Sequence, residues 1–125
     1  MSIYTELPIT AFFDHTRVIL HELGVPVHRN GYRQLGVAIP CFALDDTQSL
    51  SKELYPYVAA RFGHTDWRCV EHAIRLVILD AWDRRDPEVW EQYFPNCRKP
   101  PSNKQFIATL AERVNQITPP VSGRG

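Results

Sequence analysis

Residues 54–82 read LYPYVAARFGHTDWRCVEHAIRLVILDAW, which predicts a short helix, a turn centred on Gly63 and a longer amphipathic helix. A helix-turn-helix hairpin needs a small residue where its helices cross, a turn residue that tolerates positive φ, and apolar side chains that seat the second helix. Ala59 lies four residues before Gly63, and Val70 and Ile74 follow on one face of the second helix. The stretch therefore predicts a helix-turn-helix.

The polar side of the second predicted helix gives a first hypothesis for function. It carries Arg68, Glu71, His72 and Arg75, opposite the apolar face. The second helix of a helix-turn-helix enters the major groove of DNA, where its outer side chains reach the base edges. The sequence therefore predicts a domain that binds double-stranded DNA and uses these residues as readers.

The composition describes a globular chain with no overall charge. Its 125 residues predict one domain with a core of its own, and a hydrophobic content of 44% is that of an ordinary folded protein. The 14 basic and 14 acidic side chains cancel, whereas most DNA-binding domains carry a basic excess. Residues 61–75 are a local exception, with three arginines and two histidines against two acids. Any DNA affinity must therefore come from the local distribution of charge.

The cysteines and the hydropathy pattern limit the alternatives. Cys41, Cys69 and Cys97 are widely spaced without a CxxC pair, so we expect reduced thiols rather than disulfides or a zinc knuckle. Cys69 and His72 are a ligand-type pair at helical spacing, but two ligands do not close a metal site, and no oxyanion hole accompanies them. We expect no cofactor, no metal and no catalytic activity. With no signal peptide and no apolar run long enough for a bilayer, a cytoplasmic location without membrane contact is expected.

Apolar residues at spacings of three and four predict helices before the hairpin. The first covers residues 9–23 and ends at Gly24, a residue that commonly stops helices. The second follows a turn at Asn30-Gly31. Pro40 is expected to kink this helix or end it near Ile39, because its ring clashes with the carbonyl four residues earlier.

The hairpin and the C-terminal part supply the remaining helices. They are predicted over residues 56–62, 67–84, 86–94 and 102–117. Thr65 or Asp66 can cap the longest of them. Ser102 and Gln105 match a capping box that opens the last one.

These elements predict an all-α fold of about six helices around a helix-turn-helix, without a β wing. We expect one domain over residues 1–117, with the helix-turn-helix near residues 55–84. Residues 118–125 are rich in Pro, Gly and Ser, which predicts a disordered tail.

Several separated blocks between residues 16 and 112 share their order and spacing with a known family. They include Gly24-Val25-Pro26, Gly31-Tyr32, Leu54-Tyr55-Pro56, Val70-Glu71, Ala73-Ile74-Arg75 and Phe106-Ile107-Ala108. Through these blocks the chain resembles the C-terminal DNA-binding effector domain of the sporulation master response regulator of endospore-forming bacteria. The resemblance implies a six-helix fold, binding to short promoter boxes and contact with RNA polymerase sigma subunits. A homodimer is a further expectation.

The run that matches the family's recognition helix also departs from it. The family has Arg-Val-Glu-Arg-Ala-Ile-Arg-His, whereas residues 69–76 here read CVEHAIRL. Two arginines and a histidine of the family are replaced here by Cys69, His72 and Leu76. Glu71 and Arg75 carry over, and Arg68 is a candidate substitute because the preceding turn is one residue longer. The family's receiver domain is not in this sequence, which fits a stand-alone protein or an excised fragment.

The predicted readers differ in their chemistry. Arg75 can pair bidentately with guanine or hold a phosphate. Glu71 can accept from a cytosine amino group or simply hold Arg75, its neighbour one turn on. His72 can bond to either phosphate or base.

The start of the helix offers contacts to the DNA backbone. Arg68 and His64 lie there, where the amide ends of the helix also favour phosphate. Cys69 is a candidate because it occupies the place of a family arginine. Trp67 is expected to pack over the turn. The alternative interpretation is an ordinary solvated helix, on a relative that has lost strong DNA affinity and acts through protein contacts.

Overall fold

The computed structural model of the protein describes residues 2–64 and 66–118, with side chains from Thr10 onward. Its helices are α1 (Ser2–Glu22), α2 (Asn30–Leu44), α3 (Tyr55–Arg61), α4 (Trp67–Asp83), α5 (Pro87–Tyr93) and α6 (Asn103–Ile117). A π-helical turn at Leu50–Leu54 leads directly into α3. The described residues contain no β-strand, and the predicted all-α fold of about six helices is confirmed. None of these helices is both long and apolar enough to cross a membrane.

The core is built around α2, which packs against α1, α4 and α6. The fully buried side chains at the contacts with α4 and α6 include Leu35, Ala38 and Ile39 of α2, Ile74 and Ile78 of α4, and Phe106, Ile107 and Leu110 of α6. An aromatic cluster extends this core, with Trp82 edge-on to Trp90 and Phe94 stacked on Phe106. Burial of each large apolar side chain stabilises the fold by about 1.5–3 kcal/mol relative to exposure, so these contacts dominate the packing.

The crossing of α2 and α4 requires a residue without a side chain at Gly31. A Cβ built there lies 2.3 Å from the carbonyl oxygen of Ala73 and 2.8 Å from Cγ2 of Val77. Real Cβ atoms essentially never approach other atoms so closely, so the backbone of α2 touches α4 directly. This contact holds the apolar face of α4 inward and leaves its polar face outside.

The structure corrects two predictions for α2. Asn30 and Gly31 do not form a turn before the helix; they are its first residues, and Gly31 serves the contact with α4. Pro40 does not end the helix, which continues to Leu44. Proline removes one backbone hydrogen bond, but Pro40 and the following Phe42 are buried, and their packing offsets the loss.

At both ends of the described chain, ordered structure reaches beyond the boundaries predicted for the first helix and for the tail. The first helix begins at Ser2 rather than near residue 9, because the apolar pattern that sets the predicted start is shorter than the helix. Thr118, the first residue of the predicted tail, is buried, and its Oγ1 lies 2.8 Å from Nδ1 of His15. Residues 119–125 of that tail lie outside the described residues.

We predict that Gly31→Ala lowers the free energy of unfolding by about 1–3 kcal/mol, because the added methyl group overpacks the contact with α4. Gly36→Ala in the same helix is the matched control. A Cβ at Gly36 meets nothing within 4 Å, so alanine should stabilise the helix by about 0.4–1 kcal/mol. Urea unfolding followed by circular dichroism measures both changes. Equal effects in the two variants would contradict the close contact.

Candidate nucleic-acid interface

The turn between α3 and α4 is set by the hydrogen bonds of a Schellman motif. The His64 N–H donates to the Ala59 carbonyl oxygen (2.8 Å), and the Gly63 N–H donates to that of Ala60 (3.2 Å). Gly63 has a φ of +77°, which glycine adopts without steric cost. The turn predicted at Gly63 is therefore confirmed.

Asp66 caps the start of α4. Its carboxylate accepts a hydrogen bond from the backbone N–H of Arg68 (2.9 Å), and this bond holds the pKa of Asp66 below its ordinary value. The same oxygen accepts from Nε of Arg68 at 3.1 Å. Of the two predicted caps, Asp66 is thus confirmed, and Thr65 lies outside the described residues. The first arginine of α4 consequently has a partner within the protein.

The inner side of α4 is seated on α3. Ala59, Val70 and Ile74 are buried where the two helices pack, as the helix-turn-helix pattern predicts. Trp67 stacks on Tyr55, with ring centroids 6.0 Å apart and an interplanar angle of 13°, so its predicted packing is confirmed. The helix is thereby fixed along one side and presents the other to solvent.

The outer side of α4 has a crest without Asp, Glu, Lys or Arg, and a flank that carries one acid and one arginine. The side chains of the crest are exposed, and they are Cys69, His72 and Leu76. The flank consists of Glu71, which is exposed, and Arg75, which is half-buried. Nη1 of Arg75 donates to the carbonyl oxygen of Pro101 at 2.7 Å, which ties α4 to the loop before α6. Among the described residues no ion pair joins Glu71 to Arg75. The carbonyl of Pro101, rather than the carboxylate of Glu71, therefore holds the Arg75 side chain in position.

His64 faces α2 rather than the crest. It is half-buried, and its Nε2 lies 3.4 Å from Nε2 of Gln34. Gln34 is itself buried, and its Oε1 has no hydrogen-bond partner. Of the six residues predicted for the site, five therefore lie on the outer side of α4 and His64 lies apart from them.

A groove of about 970 Å³ runs between the flank of α4 and the start of α6. The wall opposite α4 consists of Lys99, Pro100, Ser102, Asn103, Lys104 and Gln105. Ser51 of the π-helical turn and Ser49, which caps that turn, complete the rim. Lys99 and Lys104 are exposed and add two cations that sequence reasoning missed. The capping box of Ser102 and Gln105 is confirmed, and it marks the first turn of α6, which carries Lys104.

Asn103 joins the two walls at the floor of the groove. Its Nδ2 donates to Oη of Tyr55 (3.3 Å) and to the backbone carbonyl oxygen of Glu71 (3.0 Å). Burial raises the pKa of Tyr55, whose hydroxyl serves as a structural acceptor. These bonds hold the first turn of α6 against α3 and α4. The lysines and the outer side of α4 consequently share one surface.

This arrangement, a helix-turn-helix in an all-α fold with an exposed second helix beside a basic groove, defines the class of DNA-binding effector domains. Residues 16–114 match the family described as sporulation initiation factor Spo0A C terminal. The chain belongs to this family, and the resemblance found in its sequence is confirmed. The family consists of DNA-binding domains of transcription regulators and is not a family of enzymes.

We predict that acid weakens the start of α4 through Asp66. The pKa of its carboxyl is lowered in the folded state, so the cap contributes stability above the unfolded-state value of about 4 and loses it as the pH falls through the folded value. Asp66→Asn keeps a capping oxygen but removes the charge. Thermal unfolding from neutral pH down to about pH 2 should show a higher Tm for wild type, with a gap that closes on acidification. A constant gap would contradict the prediction.

Proposed function

We propose that this protein is a transcription regulator that binds double-stranded DNA in a sequence-selective manner, with the N-terminal half of α4 in the major groove. One observation carries the proposal: the inner side of α4 is seated on α3, while its outer side from Arg68 to Leu76 is open to solvent, with Arg75 half-buried and the other outer residues exposed. Membership in a DNA-binding family supports the same use of this helix.

Charge supports the N-terminal half of α4 as the part that enters the groove. Arg68 lies in the first turn of α4, where the helix dipole favours phosphate, and its guanidinium is exposed although Nε also pairs with the capping Asp66. Lys99 and Lys104 lie across the adjoining groove and can contact the same backbone. In the C-terminal half, Asp80 is paired with Arg84 (2.9 Å) and Arg29 (3.8 Å), while Asp83 is exposed and repels phosphates. The helix would therefore approach DNA with its N-terminal end leading.

We propose Arg75 and Glu71 as base readers on the flank. A guanidinium has five N–H donors, and Arg75 uses one of them, on Nη1, to bond to Pro101. Its remaining N–H groups can donate to guanine. The bond to Pro101 also limits the freedom that Arg75 loses on binding. Glu71 is exposed and can accept from a cytosine amino group.

The other predicted residues fall into two groups. Cys69 and His72 belong to the crest, which would meet the base edges. Arg68 is proposed as a phosphate contact together with the two lysines of the groove. His64 stays a predicted backbone contact at the turn, and its use requires that the ring release Gln34.

Family membership also leads us to propose protein partners: a sigma subunit of RNA polymerase and a second copy of the chain. A regulator of transcription acts where the chromosome lies, so we propose a cytoplasmic location. The outer sides of α5 and α6 are available for protein contacts, since Glu88, Glu91 and Glu112 are exposed there. Sedimentation velocity on duplexes with one and two binding sites tests self-association.

Selection from a random-sequence duplex library, followed by anisotropy measurements, tests DNA recognition. We predict that Arg75→Ala weakens binding to the selected duplex by about 1–3 kcal/mol and hardly changes binding to a scrambled duplex, because a base contact is lost. Arg17→Ala is the charge-matched control, since Arg17 lies on α1 and pairs there with Asp14. Equal, weak binding of wild type to both duplexes would contradict the proposal and favour a relative that acts through protein contacts.

The lysines of the groove should behave differently from Arg75. We predict that Lys99→Ala and Lys104→Ala weaken binding to selected and scrambled duplexes about equally, because phosphates carry no sequence information. Each variant should reduce the slope of log affinity against log salt by about one. A salt slope unchanged in both variants would exclude these lysines from the interface.

A further inference from the structure

The crest of α4 contains no Asp, Glu, Lys or Arg. Cys69, His72 and Leu76 lie along it, and the Leu76 side chain is 40% exposed although it is apolar. The two arginines nearest to it, Arg68 and Arg75, are each held by a partner off the crest. Any molecule that meets the middle of this helix therefore meets a leucine, a thiol and an imidazole.

The crest lies on the side of α4 that faces away from the core. Residues of an α-helix advance about 100° each, so positions 69, 72 and 76 share one stripe. Val70, Ile74 and Val77 are buried on the opposite side. A helix that enters the major groove with its outer side leading places this stripe against the base edges. The crest is thus positioned to contribute to sequence selection.

The chemistry of the crest suits one base. Leu76 has no polar atom, and the thiol of Cys69 is only a weak donor. Guanine, cytosine and adenine present polar groups in the major groove, and these would lose water against Leu76 without gaining a partner. Thymine presents a C5-methyl group as well, which an apolar side chain can remove from water at no such cost.

We propose that the crest of α4 reads the C5-methyl groups of thymine, through Leu76 and through Cys69 two helical turns before it. His72 lies between them and supplies one polar contact, which suits N7 of a neighbouring purine. The assignment rests on the proposed function. It narrows the ligand to duplexes that carry thymine at the positions under Leu76 and Cys69.

The surroundings of the crest favour DNA over a protein partner. Lys99 and Lys104 are exposed in the groove that His72 of the crest also lines, and Arg68 is exposed in the first turn of α4; these cations complement the phosphates of a duplex. A specific protein–protein interface buries about 800 Å² on each partner. The apolar part of the crest, Leu76 and Cys69, is too small to form the centre of such an interface.

The test uses the full chain and the duplex that it selects from a random-sequence library. Each thymine of the selected site is replaced in turn by deoxyuridine, which removes only the methyl group. We expect one or two of these replacements to weaken binding about fourfold each, the effect of exposing one buried methyl group. Replacements elsewhere in the site should have no effect.

Leu76→Ala is the matched variant. Because Leu76 is exposed, the fold should persist, which circular dichroism checks. This variant should bind the thymine duplex more weakly than wild type and should lose discrimination at one sensitive position, the thymine under Leu76, as a double-mutant cycle requires of a direct contact. Discrimination at the thymine under Cys69 should remain. Leu76→Arg should shift the selected base from thymine to guanine.

Two outcomes would overturn the assignment, and they are distinguishable. If wild type binds every deoxyuridine duplex as tightly as the thymine duplex, the methyl groups are not read, and the proposed function stands without this refinement. If wild type selects no duplex from the library, the proposed function fails as well.

Discussion

The contact between the backbones of α2 and α4 at Gly31 governs the rest of the molecule. Without a side chain at that position, the two helices approach until Ala73 and Val77 meet α2. Because α2 is also packed against α1 and α6, it fixes the rotation of α4 about its own axis. That rotation turns Ile74 and its buried neighbours toward the core, and it turns the crest toward solvent. A bulkier residue at Gly31 would change both.

A second set of contacts brings distant parts of the chain together on the outer side of α4. Arg75 reaches the carbonyl of Pro101, and Asn103 reaches the backbone of Glu71, so the start of α6 is joined to the flank of α4. The polar flank and the two lysines of the groove consequently act over one area. This explains how a chain with no net charge can still offer a locally basic surface.

Features fixed by neighbouring residues could be predicted from the sequence, and features fixed by packing could not. The turn at Gly63, the cap at Asp66 and the capping box at Ser102 each depend on residues a few positions away. The continuation of α2 through Pro40 depends instead on its burial in the core. The partner of Arg75 lies 26 positions along the chain, and that of His64 lies 30 positions away, beyond the range of any local pattern.

The stacking of Trp67 on Tyr55 has a practical consequence. Trp67 is half-buried at the beginning of α4, whereas Trp82 and Trp90 lie inside the aromatic cluster. Its indole therefore borders the surface that a docking molecule would cover, while the other two remain shielded from such an event. The fluorescence of Trp67 should therefore change when a molecule binds to this surface. Stopped-flow fluorescence can then measure the rate of association of the unlabelled protein.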